Sequence, residues 1–357
     1  VTGSVGKTTT KDMLKLALEP FGKVHASAKS FNNYLGVPIS LASLPPSAKY
    51  AVFEIGMNSP GEIAPLARLV SPHVALITTV AGAHLEFFNS VKEIAKEKAS
   101  IIEGLLDGGT AVLPADIPDK DILGASADKS NCNQLWFAST RSDAFIVGSW
   151  RKGEKKVAEI NLLNKKVKVE LNSLGSHFLR NSLGVLLSVM ALGGDANKAV
   201  RDLSSWKPVS GRGRLEQICF KKGKIYLIDD SYNSNPASLS AAMILLAEAN
   251  AKRRIAILGD MKELGKNSVD IHKDIAKWPS VLKVDLVHTV GPLMQSLHEA
   301  LPLSIRGGHR QNAFEMSDII ESLITRGDTI LIKGSLSIGM QQIIKTIKKI
   351  TKFIFNI

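Results

Sequence analysis

The chain has 357 residues, 45% hydrophobic and 22% charged, with a formal net charge of +12. That composition excludes a disordered chain, a collagen-like repeat and a coiled coil, and the length predicts two domains or three. Cys132 and Cys219 lie too far apart to mark a metal site or a disulfide framework, so a reducing, cytoplasmic compartment is expected.

The sequence opens Val1-Thr2-Gly3-Ser4 with no charged or apolar leader pattern, and it holds no run of eighteen apolar residues. Neither a signal peptide nor a membrane span is expected. The basic balance suits nucleic acid, an anionic membrane surface or an acidic small molecule. Aromatic residues make up only 6% and no basic stripe interleaves with them, which sets nucleic acid aside.

In chain order, Gly3-Ser4-Val5-Gly6-Lys7-Thr8-Thr9 leads into a helix predicted from Thr8 to Leu18. Strands are predicted at 49–56, 74–79, 111–113, 134–138 and 145–147, with helices at 62–70 and 90–106 between them. Runs at 157–163 and 166–171 flank Asn164 and predict a hairpin. A helix follows from His177 to Leu192, closed by Gly193-Gly194. The Gly-, Pro- and charge-rich stretch 208–214 reads as a linker between a domain at 1–207 and another at 215–357. Beyond it, strands at 224–229, 254–258, 286–289 and 329–332 alternate with helices at 236–249, 268–277, 311–325 and 337–349. Such alternation predicts an α/β chain with mostly parallel sheets covered on both faces.

Several residues could carry chemistry. Glycines at 3 and 6 let backbone N–H groups turn in on phosphate oxygens, Lys7 can neutralise them, and the hydroxyl of Thr8 suits Mg²⁺. The helix start adds its positive dipole end. Glu54 ends a buried strand, where a carboxylate can hold Mg²⁺, orient water or simply face solvent. His84 follows the next strand, as a polar loop residue or a ligand. Lys98 sits in a Lys-Glu-Lys helix, where a solvated face is the ordinary reading. Asn32 and Asn33 with Gly36 and Pro38 make a turn whose amides could meet a nucleotide. The cluster Asp229-Asp230-Ser231-Tyr232-Asn233-Ser234-Asn235-Pro236 caps a helix and holds more polar groups than a cap needs.

The order of these blocks resembles the Mur ligases. The blocks concerned are Thr2 to Thr9, Asn32 to Pro38, Glu54 to Asn58, Gly61-Glu62-Ile63 and Ala83 to Glu86. They continue through Gly175-x-His177 with Asn181, Gly211-Arg212-x-Arg214, Asp229 to Pro236, Gly259 to Gly265 and Lys333-Gly334-Ser335. The resemblance implies a central P-loop ATPase-like domain with a mostly parallel sheet, followed by a C-terminal Rossmann-like domain. It implies ATP bound by Gly3, Ser4, Val5, Gly6, Lys7, Thr8 and Thr9, with Asn33, Asn181, Arg214 and Asp230. It implies catalytic roles for Lys7, Glu54, His84 and Lys98. Mg²⁺ would lie at Thr8, Glu54, His84 and a carbamylated Lys98, and substrate at Ser231, Tyr232, Asn233, Asn235, Lys333 and Ser335 along the domain cleft.

The implied reaction is ATP-dependent amide ligation through an acyl phosphate in cell-wall precursor synthesis. It joins D-alanyl-D-alanine to a UDP-muramoyl-tripeptide, in a cytoplasmic monomer. Two positions depart from the family pattern: Leu336 stands where Arg usually follows Lys-Gly-Ser, and Phe178 where Asn usually follows the histidine. The family's N-terminal UDP-binding domain has no counterpart in the sequence, and only Val1-Thr2 remain of the strand before the P-loop. A very high KM or no turnover is therefore expected. The alternatives are an inactive ATP-binding remnant, a folylpolyglutamate synthase-like ligase, and a P-loop ATPase switch that contacts a membrane through Ile343–Ile357.

Overall fold

A computed structural model describes residues 1–221 and 223–353. The chain forms two compact units, Val1–Lys207 and Pro208–Ile357.

The first unit runs α1 Lys7–Leu18, β1 Val24–Ala26, α2 Gly36–Ala42, β2 Tyr50–Val52, α3 Ile63–Val70, β3 Val74–Leu76, α4 Val91–Ala99, β4 Thr110–Pro114 and α5 Lys120–Lys129. It continues with β5 Asn133–Ala138, β6 Ala144–Lys152, β7 Lys155–Leu162, β8 Lys165–Leu171, α6 Ser176–Ala191 and α7 Ala196–Leu203. One sheet has the order β3-β4-β5-β6-β7-β8, parallel through β6 and antiparallel after it, and β1 pairs with β2 in parallel.

Val1 and Thr2 join these two sets of strands. The Val1 nitrogen donates to Phe53 O at 2.8 Å, and Ile55 N donates to Val1 O at 2.8 Å. On the other side Thr2 N donates to Leu76 O and Thr78 N to Thr2 O, both at 2.9 Å. Two residues thus suffice to place the P-loop at the carboxyl ends of parallel strands, where such sheets bind ligands.

Alternation of buried strands and amphipathic helices builds the core. All five residues of β4 are buried, as expected of a strand covered on both faces. In α1, Met13, Leu14, Ala17 and Leu18 recur at helical spacing and pack against α6. The β7–β8 hairpin turns through Leu163 and Asn164, with φ of 49° and 65°, the left-handed pair that suits a tight hairpin. The helix predicted at 90–106 ends at Ala99 and tightens into a 3₁₀ turn, Ser100–Gly104.

The second unit runs β9 Arg214–Phe220, β10 Gly223–Asp230, α8 Pro236–Ala247, β11 Arg253–Gly259, α9 Ser268–Asp274, β12 Leu286–Val290 and α10 Met294–Ala300. It ends with β13 Arg306–Arg310, α11 Ala313–Leu323, β14 Asp328–Lys333 and α12 Gln341–Phe353. Its sheet order is β13-β12-β11-β14-β10-β9, parallel except for the edge strand β9. Each unit is thus α/β with a mostly parallel sheet.

The segment proposed for membrane contact is corrected by its packing. Ile343, Ile344 and Ile347 of α12 are buried in the core of the second unit, and Lys348 Nζ lies 2.7 Å from Glu216 Oε2. The apolar stripe therefore covers the sheet; residues 354–357 and the side chain of Lys352 lie outside the described residues. Among the described residues no helix is long and apolar enough to cross a membrane.

Candidate active site

The P-loop is held in shape by the strand beside it. Gly3 has φ 146°, and a Cβ there would come within 1.9 Å of Thr78 Oγ1, so only glycine fits. Thr78 Oγ1 donates to Val5 O at 2.6 Å, while Ser4 Oγ donates to Ala81 O at 2.9 Å and accepts from Ala81 N at 3.0 Å. Gly6 takes the left-handed conformation at the N-cap of α1. Lys7 Nζ donates to Gly3 O at 2.8 Å, which holds its ammonium at the loop. Thr8 Oγ1 stands 3.5 Å from Ser30 Oγ, and Thr9 is buried in the first turn of α1.

Glu54 is 1% exposed, which removes the solvent-facing reading. Its Oε1 accepts from Asn32 Nδ2 at 2.7 Å, whereas Oε2 is buried with no hydrogen-bond partner. Of the two amides in this turn, Asn32 is the one that touches Glu54. Asn33 Oδ1 instead accepts from Leu35 N at 3.2 Å and Gly36 N at 2.9 Å, closing the turn that enters α2. Sequence reasoning missed Lys11, whose Nζ lies 3.9 Å from Glu54 Oε2. The available signal was its position one helical turn after Lys7.

Lys98 is also 1% exposed, which overturns the solvated-face reading. Its Nζ points at Met57 Sδ, 3.8 Å away. Burial pushes the ammonium well below the usual lysine range; the positive charge of Lys7 pushes the same way and Glu97 opposes. Glu97 meanwhile accepts from Gly61 N at 2.8 Å and Ile63 N at 2.9 Å, fastening the start of α3. His84 has φ 59°, uncommon for a residue with a side chain and often found at functional loops.

The start of α6 adds an amide. Asn181 is buried, with its side chain against Gly6, where an added Cβ would meet Nδ2 at 3.1 Å. Beside it, Arg180 Nη1 donates to Thr78 O at 2.8 Å and Nε to both Asp116 oxygens at 3.2 Å. Burial raises the Asp116 carboxyl, but Arg180 and Ser139 outweigh it and hold the group below the usual carboxylate range.

In the second unit, Asp229 organises the polar cluster. Its Oδ2 accepts from Ser210 Oγ at 2.8 Å and Gly211 N at 2.9 Å; Oδ1 accepts from Ser231 Oγ at 2.6 Å. Lys333 Nζ donates to Asp230 Oδ2 at 2.6 Å and to Asn233 O at 2.8 Å. Burial, above all, moves Asp230 up and Lys333 down, against their mutual attraction. Asn235 caps α8 through Ser238, a closed capping box with Pro236 at the first helical position. Ser335 Oγ accepts from Lys262 N at 2.9 Å, and Arg212 stacks over Tyr232 at 4.1 Å. Arg214, at the start of β9, lies 3.4 Å from Glu216.

The Mur ligase middle domain matches residues 1–189, and the Mur ligase glutamate ligase domain matches residues 213–336. The chain belongs to the Mur ligase family. It is 33% identical over 346 residues to the UDP-N-acetylmuramoyl-tripeptide–D-alanyl-D-alanine ligase of Rickettsia prowazekii, covering 96% of this chain and 76% of the relative. To the ligase of the same name from Escherichia coli it is 31% identical, covering 98% and 76%. Among solved structures, MurF from Acinetobacter baumannii superposes with TM-score 0.87 at 27% identity, over 98% of this chain and 75% of that one. MurF from Thermotoga maritima in complex with ADP gives TM-score 0.86 at 26% identity, over 99% and 79%.

In this Mur ligase the two departures sit in different settings. Phe178 is buried and packs edge-on against Trp206 with ring centroids 5.1 Å apart, so it belongs to the core. Leu336 is exposed at the start of a 3₁₀ turn, where nothing in the packing requires leucine.

Proposed function

We propose that this Mur ligase joins D-alanyl-D-alanine to UDP-N-acetylmuramoyl-tripeptide in the cytoplasm, with ATP hydrolysed to ADP and phosphate. The relatives supply the substrate pair. The observation that carries the chemistry is a P-loop beside Glu54, a buried carboxylate with one oxygen outside any hydrogen bond.

A free carboxylate is a poor acylating agent. Its oxygen attacks the γ-phosphorus of ATP, ADP leaves, and an acyl phosphate results. The dipeptide amine then attacks the carbonyl carbon, inorganic phosphate departs with the former carboxylate oxygen, and the amine loses a proton. Backbone N–H groups of the loop from Val5 to Thr9 cradle the phosphates, the Ser4 N–H being held by Thr79 O at 2.9 Å, and the Lys7 ammonium spreads their charge. Asn181, Asn33, Arg214 and Asp230 are assigned to the nucleotide from the family pattern, and the contact of the Asn181 side chain with Gly6 supports the first. Ser231, Tyr232, Asn233, Asn235, Lys333 and Ser335 are assigned to substrate.

The residues fit Mg²⁺. Oε2 of Glu54, which takes no hydrogen bond, is a hard anionic oxygen, and Thr8 offers a hydroxyl at the head of α1. Among the described residues no three His, Cys, Asp or Glu side chains gather into a metal cluster; oxygens of the bound nucleotide would complete the set. Bound there, Mg²⁺ supplies charge neutralisation at the phosphates. Lys98, held toward the neutral amine by burial, suits carbamylation: its nitrogen bonds the carbon of CO₂ and loses a proton, giving an anionic group of the kind that the family pattern pairs with His84.

The test is phosphate release from ATP with each substrate withheld in turn. Dependence on both UDP-muramoyl-tripeptide and D-alanyl-D-alanine is expected. ATP hydrolysis indifferent to them, or ligation of glutamate to a folate, would overturn the reading.

A further inference from the structure

Lys11 is almost wholly buried, with 3% of its side chain exposed, on the first turns of α1. Its Nζ donates to Ser27 O at 2.8 Å and also to Lys29 O. It lies 3.9 Å from Glu54 Oε2 and 3.8 Å from Asp12 Oδ1. Both carbonyls belong to the loop leading to Ser30, near the Thr8 hydroxyl, and to Asn32, which binds Glu54. Asn32 is itself fixed, because Gly56 N donates to its carbonyl at 2.7 Å. One ammonium therefore ties together the P-loop helix, the 27–32 loop and the carboxylate.

The 3.9 Å separation is informative. A buried carboxylate needs a nearby positive charge. A lysine in hydrogen-bond contact would supply it but would also occupy the lone pairs of Oε2. At 3.9 Å, beyond hydrogen-bond reach, Lys11 compensates the charge and leaves the oxygen open. Two of its three N–H donors go to backbone carbonyls, which hold it at that distance.

We propose that Lys11 is a positioning residue, keeping Glu54 Oε2 compensated yet open for the divalent cation that accompanies ATP. The inference rests on the nucleotide-binding reading above.

The test is calorimetric binding of ADP, first in EDTA and then across a Mg²⁺ titration. Lys11→Met should raise the Mg²⁺ needed for half-maximal enhancement by roughly tenfold, while ADP affinity in EDTA stays within about twofold. Lys11→Arg retains the charge should Lys11→Met fail to fold. Its longer fork captures Oε2, so it should shift the Mg²⁺ requirement the same way. In a Glu54→Gln background, Lys11→Met should add no further shift. An unchanged Mg²⁺ requirement in both variants overturns the inference, as does an equal loss of ADP affinity in EDTA, which marks a plain loop anchor. A persisting effect in the Glu54→Gln background overturns it too. If the unsubstituted protein shows no Mg²⁺ enhancement, the metal reading fails along with it; a Mg²⁺ requirement in the Lys11 variants equal to that of the unsubstituted protein overturns only the role of Lys11.

Discussion

Lys333 and Asp230 face each other as register partners on adjacent parallel strands, and the Lys333 ammonium donates to Asp230 Oδ2 at 2.6 Å. Lys333 is 2% exposed, so the pair stands in a low-dielectric setting. Breaking such a pair leaves a buried charge alone, whereas removing both partners does not. Asp230→Asn should therefore destabilise the second unit by about 3–5 kcal/mol, and Asp230→Asn with Lys333→Met should recover most of it. Denaturant unfolding of the parent, Asp230→Asn, Lys333→Met and the double variant measures this. Additive losses would mean that the two groups do not act as a pair.

The close contact at Gly3 gives a second prediction. Gly3→Ala forces a Cβ into Thr78 Oγ1, the hydroxyl that holds Val5. Loss of about 1–3 kcal/mol in stability is expected, with ADP affinity down by roughly tenfold or more. Retention of full affinity would show that the loop tolerates a different shape.

Stability should also depend on pH through His288. It is buried on β12, accepts from Gly308 N at 2.9 Å, and has its pKa lowered to about 4 by burial and then by Arg253. A lowered value means that the fold favours the neutral ring. The unfolded chain takes up a proton near pH 6.5, so stability is lost as pH falls from there toward 4. The full loss is on the order of 3 kcal/mol. His288→Asn, which can still accept from Gly308, should flatten the decline between those pH values. An identical profile in the variant would contradict the assignment.

Lys98 makes a direct spectroscopic prediction. Its buried, destabilised ammonium should exchange for a carbamate when the protein is equilibrated with ¹³C-bicarbonate, giving a carbonyl resonance absent from Lys98→Met. Ligase turnover in Lys98→Met should fall by about a hundredfold or more, the scale set by removing a group that stabilises transferring phosphate. The same resonance in both proteins would assign it elsewhere.

The sequence was most legible where periodicity is strong. The strands 253–259 and 328–333 and the helix 176–191 follow from apolar runs and helical spacing. β13, Arg306–Arg310, carries no apolar residue and forms because β12 offers it a free edge. α2 begins Gly-Val-Pro and reads as turn chemistry until the Asn33 side chain is seen to close the turn that enters it. α7 buries only Ala199 and Leu203, too little to stand out from its polar surroundings. At the site, the P-loop was legible because its glycines and hydroxyls are consecutive. The burial of Glu54 and Lys98 was not, because each is enclosed by segments distant in sequence: Asn32 is 22 residues from Glu54, and Met57 is 41 residues from Lys98. Lys11 escaped notice for the same reason, since its partners become neighbours only when the loop folds back on α1.

The most direct test follows the oxygen that the acyl phosphate must transfer. UDP-muramoyl-tripeptide labelled with ¹⁸O in its reacting carboxylate is incubated at saturating concentration with ATP, Mg²⁺ and D-alanyl-D-alanine. Mass spectrometry then reads both products. The expected products are a peptide extended by the dipeptide and phosphate carrying one ¹⁸O per molecule. Phosphate released without the label, or label retained in an unextended peptide, would contradict it.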